Sequence, residues 1–251
     1  DAGDVLTLTV NRPEKFNPLS RGVLGGIRRT LLDAASREAL KAVVIRGAGN
    51  RYFAAGGDLR DLADVRTGAQ TLAMVEECRG VLDAVRECPV PVVAVLNGDA
   101  IGGGAELAVA CDFRIMRDGA NIGYVHGRLQ ITSAWGGGTD LFTLVGRARA
   151  LRMATSAELV PARTALDWGL ADAVFTEDEL DAWVGRVQPE SYVALMGTRR
   201  LVVAEATLAD GTRIVGFAEL LPEEAVIEAI YVDPDWERRG IGTALARVLE
   251  D

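Results

Sequence analysis

Apolar and polar positions along the chain follow two periods, and the switches between them mark out the elements. Residues 5–10 (VLTLTV) alternate apolar side chains with threonine and predict a strand. The loop NRPEKFNPLS follows, with Ser20 placed to cap a helix that reaches about Ala35. AVVIRG (42–47) is an apolar run that predicts a buried strand, ended by the turn GAGN. YFAAGGDL leads into a helix after Asp58, and helical spacing resumes from about Ala69 to Arg86. Another buried strand runs through PVPVVAVLNGDA to Asn97-Gly98, and the glycine turn of AIGGGAELAVACDF opens into a helix directly after it. FRIM and NIGYV read as strands, AWGGGT as a glycine turn, and the rest to about Leu170 as helices. Strands alternating with helices predict an α/β architecture.

Near Gln188 the texture changes. RRLVVAEATLADGTRIVGFAEL reads as two alternating strands joined at Asp210-Gly211. AVIEAIYVDP is a third strand, and RRGIGTALARVLE a glycine turn opening a helix. The expected boundary falls at 186–192, dividing the chain into 1–187 and 188–251.

Charge narrows the partners. Thirty-six acidic residues against 27 basic ones leave a net charge of −9 over 251 residues, which opposes a nucleic-acid or anionic-membrane footprint. No apolar run reaches the roughly 18 residues of a membrane span, and no signal-peptide pattern is visible. Cys78, Cys88 and Cys111 lack metal-ligand spacing, and only one histidine is present. The expectation is no metal, with reduced thiols that serve packing in a cytoplasmic protein.

The glycine turns carry the chemistry. GGGAEL (102–107) follows a strand and opens a helix, where the first N–H groups have no internal partner and the helix dipole favours negative charge. Two roles fit it locally: a tight turn whose acid, Glu106, complements the dipole, or a backbone site for an oxyanion. FAAGGDL (53–59) repeats the arrangement, with Asp58 as an N-cap and Gly57 offering another N–H. Two such turns could converge on one carbonyl oxygen. The patterns of a phosphate loop, a dinucleotide-binding turn and a nucleophile elbow are all absent.

VLTLTVNRPEKFNPLS, FAAGGDL, GDAIGGGAELAVACDF and WGGGTDLFTLVGRARAL, in this order, resemble the crotonase (enoyl-CoA hydratase/isomerase) superfamily over residues 1 to about 187. The resemblance implies a ββα spiral fold, acyl-CoA thioester substrates, no cofactor beyond their coenzyme A, and a homotrimer. It implies an oxyanion hole from the N–H groups of Gly57 and Gly103. It also implies coenzyme A contacts at Lys15, Phe16 and Asn17 and at Gly57, Asp58, Leu59 and Arg60. Hydratases of this family use two glutamates, and Glu106 falls on the first position. The second, in the strand containing NIGYVHGRLQ, is His126. YVHGRLQITSAWGG resembles ethylmalonyl-CoA and methylmalonyl-CoA decarboxylases, which implies decarboxylation of a short branched malonyl-CoA thioester, with enoyl-CoA hydration as the alternative. Trp135 is expected as a pocket wall, and Arg128 is within reach of a substrate carboxylate.

After about 190 the family's C-terminal helices, which would support the trimer, do not follow. IVGFAELLPEEAVIEAIYVDPDWERRGIGTALARVLE resembles instead the central part of a Gcn5-related N-acetyltransferase (GNAT). That likeness implies an acetyl-CoA pyrophosphate loop at Arg239, Gly240 and Gly242, although Glu237 stands where the family pattern has Gln or Arg. An incomplete GNAT-like α/β segment is expected, as in a fusion, a truncated two-domain chain or a chimaera. This keeps open a non-catalytic acyl-CoA-binding module.

Overall fold

A computed structural model describes residues 5–180, apart from 35, 38 and 64, and three strands at 200–208, 211–221 and 226–232. The chain divides into two compact units, Asp1–Pro189 and Glu190–Asp251.

In the first unit, β1 (Val5–Val10) and α1 (Arg21–Ala34) precede three strand pairs. These are β2 (Ala42–Gly47) with β3 (Tyr52–Ala54), β4 (Val92–Leu96) with β5 (Asp99–Ile101), and β6 (Phe113–Arg117) with β7 (Asn121–Gly123). Helices α2 (Leu59–Ala63) and α3 (Gly68–Arg86) follow the first pair, and α4 (Gly103–Ala110) follows the second. The unit continues through α5 (Gly137–Ser156), β8 (Val160–Pro161), α6 (Ala162–Asp167) and β9 (Ala173–Phe175).

Each pair gives one strand to each of two sheets. The first members form a parallel sheet in the order β1-β2-β4-β6-β9. The second members form β3-β5-β7-β8, parallel except for β8. Every residue of β4 is buried, as is nearly all of β2, which is why both read as apolar runs without alternation. Helix α4 is buried on every side, so it lies at the centre rather than on the surface. Around this core α1 turns inward Leu24, Ile27 and Leu31, and α3 starts at a capping box between Thr67 and Gln70.

Three readings of the sequence change. The stretch after Gly98 contains a strand, β5, before the glycine turn. A Cβ on Gly98 would overlap the Arg51–Tyr52 backbone, and this close approach lets the chain step from one sheet to the other. NIGYV is a strand only to Gly123, and Val125–Leu129 forms a 3-10 turn. Gly146, at φ 74° and ψ 166°, breaks α5 into two helical segments.

Buried polar groups tie the units of this core together. Asn97 accepts from the Gly47 N–H at 2.8 Å and donates to the Gly49 carbonyl at 2.6 Å, fixing the turn between β2 and β3. Arg114, on β6, is buried yet donates to the carbonyls of Leu170, Cys111 and Asp112 and to the Asp172 carboxylate. Burying a guanidinium is tolerable only with its donors satisfied in this way.

In the second unit, β10 (Arg200–Leu208), β11 (Gly211–Leu221) and β12 (Val226–Val232) form an antiparallel sheet in that order. β10 and β11 are the hairpin expected at Asp210-Gly211, with Leu208 opposite Gly211, and β12 is the third expected strand. The expected pyrophosphate loop, Arg239, Gly240 and Gly242, and the helix after it lie outside the described residues.

Arg114→Ala is expected to lower stability by about 3 kcal/mol, because it strands three carbonyls and a carboxylate together; urea unfolding measures this. The thiols give a second check. Burial pushes the Cys78 thiol up to about 12 and raises that of Cys111 as well, whereas Cys88 is partly exposed. Iodoacetamide should therefore add at most one group to the native protein, at Cys88, and three after unfolding, as read by intact mass.

Candidate active site

Two strand-to-helix turns meet at one wall. Ala54 on β3 pairs with Ala100 on β5, so the segments 55–58 and 101–103 leave the sheet side by side. A Cβ on Gly56 would lie 3.1 Å from the Ile101 carbonyl oxygen and 3.5 Å from the Gly103 nitrogen. The three consecutive glycines have three separate causes. Gly102 takes φ 57°, which favours glycine. A Cβ on Gly103 would overlap the Trp135 ring, and one on Gly104 would overlap the Ala54 carbonyl oxygen.

The same geometry leaves two N–H groups uncommitted to secondary structure. Leu19 bridges to Gly57 as a parallel partner. Its bonds, however, run from its own N–H to the Gly56 carbonyl and from the Asp58 N–H to the Leu19 carbonyl. The N–H of Gly57 itself points away from that bridge. Gly103 is the first residue of α4, so its N–H has no helical acceptor. Both glycines line a cavity of about 510 Å³.

Glu106 sits one turn along α4 and is fully buried, at 0% exposure. Its Oε2 accepts the backbone N–H groups of Trp135 and Gly137, both at 3.1 Å. Its Oε1 faces His126 Nε2 at 3.1 Å, close enough for an ion pair but without the alignment of a hydrogen bond. His126 Nδ1 is also buried with no hydrogen-bond partner among the described residues. The histidine stands on the 3-10 turn after β7, not on a strand as expected. Tyr124, two residues earlier, packs its ring 5.6 Å from the imidazole and donates its hydroxyl to the Gly137 carbonyl at 2.8 Å. Burial, reinforced by the Glu106 charge, holds this phenol well above its ordinary range. It therefore remains a donor and pins the segment that bonds Glu106.

The cavity thus brings together Gly57, Leu59, Gly103, Glu106, His126 and Trp135. Glu106 and His126 are the only ionisable side chains among its described lining residues. Other expected ligand residues stand outside the lining. Lys15 and Phe16 are exposed on and after the 3-10 turn Pro13–Lys15, with Phe16 packed on Tyr52 at 4.9 Å. Asp58 pairs with Arg12 at 2.9 Å and caps the Arg60 N–H, and Arg60 is exposed. Asn17 needs correction as a coenzyme A contact, because its side chain is buried and engaged internally. It accepts from the Arg12 N–H and donates to the carbonyls of Ala48 and Tyr52. Arg128 likewise turns to the Ala157 carbonyl at 2.7 Å rather than into the cavity. Residues not anticipated from sequence include Tyr124 and the α3 wall of Thr71, Met74 and Val75. Met74 reads as an ordinary apolar position of an amphipathic helix, so nothing local distinguishes it.

Comparison with known proteins bears on the family and the fold. A family model described as enoyl-CoA hydratase/isomerase matches residues 2–189, and one described as acetyltransferase (GNAT) family matches residues 168–251. Ethylmalonyl-CoA decarboxylase of Xenopus laevis is 30% identical over 175 residues, covering 70% of this chain and 58% of that protein. The Homo sapiens protein of the same name is 30% identical over 172 residues, covering 68% of this chain and 56% of that one. The chain therefore spans less than three-fifths of the length of these two curated relatives. Among solved structures, enoyl-CoA hydratase from Bacillus anthracis has a TM-score of 0.72 at 30% identity, over 77% of this chain and 74% of that chain. The ββα architecture expected of the first unit is the fold shared with such neighbours.

The contact between Trp135 and Gly103 is open to test. Gly103→Ala is expected to destabilise the protein by about 1–3 kcal/mol through overpacking, and Trp135→Leu in the same chain should recover part of it. Equal thermal midpoints for the single and double variants would contradict the contact.

Proposed function

The chain belongs to the enoyl-CoA hydratase/isomerase family, and from that premise we propose that it is an acyl-CoA lyase decarboxylating a short branched malonyl-CoA thioester of the ethylmalonyl or methylmalonyl type. One observation carries this reading: a single carboxylate, Glu106, faces a single imidazole, His126, in a cavity that also holds the Gly57 and Gly103 N–H groups.

The thioester carbonyl oxygen accepts the Gly57 and Gly103 N–H groups, which strengthen as negative charge develops on it. The bond from the α-carbon to the carboxylate breaks, its electron pair becomes the thioester enolate, and CO₂ leaves. Protonated His126 gives a proton to the α-carbon and recovers one from water, while Glu106 orients the ring and balances its charge. The apolar walls favour this direction, since they tolerate neutral CO₂ better than the carboxylate it came from. The coenzyme A chain leaves past Leu59 and Arg60, both exposed, toward Lys15 and Phe16. The two decarboxylase relatives support the same choice. The hydratase neighbour favours a second reading, enoyl-CoA hydration, with Glu106 and His126 flanking one water.

CO₂ release from ethylmalonyl-CoA and methylmalonyl-CoA, beside hydration of crotonyl-CoA, tests the proposal. CO₂ release is expected, and hydration without it would overturn decarboxylation. Glu106→Gln and His126→Ala should each lower kcat at least about a hundredfold, with product binding retained. Unchanged turnover in both would remove them from the mechanism. Ester binding with no turnover in the unmodified chain would leave a binding module.

A further inference from the structure

Trp135 meets the site in two ways. Its backbone N–H holds Glu106 Oε2 at 3.1 Å. Its ring lies against both glycine turns at once, filling the space of a Cβ at Gly103 and lying 3.4 Å from the Cβ position of Gly57. The ring is also a wall of the 510 Å³ cavity. A second cleft bordered by the ring, lined by Leu19, Leu24, Met74 and Cys78 together with the charged Arg21, Asp58 and Asp61, has only about 10 Å³ free, at the limit for a single water. That cleft leaves the indole little room to shift, and its main chain is tied to the buried carboxylate.

Resting on the acyl-CoA reading above, we propose that the Trp135 indole limits the size of the group carried on the substrate's α-carbon. A carbonyl held by the Gly57 and Gly103 N–H groups puts the adjacent α-carbon beside the Trp135 ring, which lies against both residues. A substituent there comes within contact distance, about 4 Å, of the indole. The ring then acts as a stop on that side: short alkyl groups lie flat on it, and longer ones must turn away from it. A smaller side chain at 135 opens a path toward Met74 and Cys78.

The test compares kcat/KM for CO₂ release from methyl-, ethyl- and butylmalonyl-CoA in the unmodified chain, Trp135→Phe and Trp135→Leu. Dissociation constants for the corresponding products, propanoyl-, butanoyl- and hexanoyl-CoA, are measured alongside. In a closed pocket one methylene is worth roughly 10–200-fold. Trp135→Leu should therefore move the butyl-to-ethyl ratio at least about tenfold toward butyl in both measurements, with Trp135→Phe intermediate. Trp135→Phe retains a ring and decides the matter if the leucine variant fails to fold. A parallel change for all three chain lengths would overturn the proposal, leaving Trp135 a support for Glu106 alone. If the unmodified chain releases no CO₂ but binds the products, decarboxylation fails, and the product-affinity ratios alone decide for or against the indole. Binding of none of the esters would overturn both.

Discussion

A carboxylate with no exposure to solvent must be solvated by the protein itself, and much of the first unit is arranged to do so for Glu106. Its helix is buried on all sides, so compensation must come largely from protein groups. Two N–H groups from the segment 135–137 take that place, and charge-assisted bonds of this kind are roughly twice as strong as neutral ones. For them to reach, the segment must approach α4 at residue 103, where only glycine leaves room for Trp135. The Tyr124 hydroxyl holds the segment from its other side through the Gly137 carbonyl. The glycine turn, the aromatic wall and the start of α5 are thus parts of one solution to one electrostatic demand.

The buried strands and the helix after the glycine turn could be read from the chain because burial on both faces leaves a plain signature. VVAVL is wholly apolar, and AVVIRG and AELAVA are apolar apart from Arg46 and Glu106, none of them alternating. The two glycine turns were equally legible, since a strand followed by small residues and an acid has few other uses. Short strands such as β5 were not, because three residues carry no period and their pairing depends on a partner distant in sequence. His126 was found by its place in the family pattern, yet its 3-10 turn was invisible. VHGRL has neither helical nor alternating spacing, and what holds it is contact with α4 and α5. Asn17 as a coenzyme A contact came from the resemblance alone, and the fold engages its side chain elsewhere. An amide beside a proposed ligand path looks available until the fold wraps Arg12, Ala48 and Tyr52 around it. Polar residues in a loop declare that hydrogen bonds will be made, not with whom.

The paired sheets explain how two distant glycines become neighbours. The turns after β3 and β5 belong to successive repeats of one strand-pair unit, and the pairing of Ala54 with Ala100 fixes their offset. Since a one-residue slip would turn every side chain to the opposite face, the buried strands guard the spacing of the two N–H groups. The same residues that supply the core therefore supply the precision of the site.

The position of His126 gives the architecture a division of labour. Glu106 is embedded in the central helix, and any change of its backbone would disturb both sheets. His126 projects from a single turn outside either ladder and faces the carboxylate without a hydrogen bond to it. The carboxylate is thereby part of the scaffold, whereas the imidazole is carried on a turn that neither sheet pairs. Exchanging residue 126 would change what faces Glu106 in the cavity and leave the central helix and both sheets as they are.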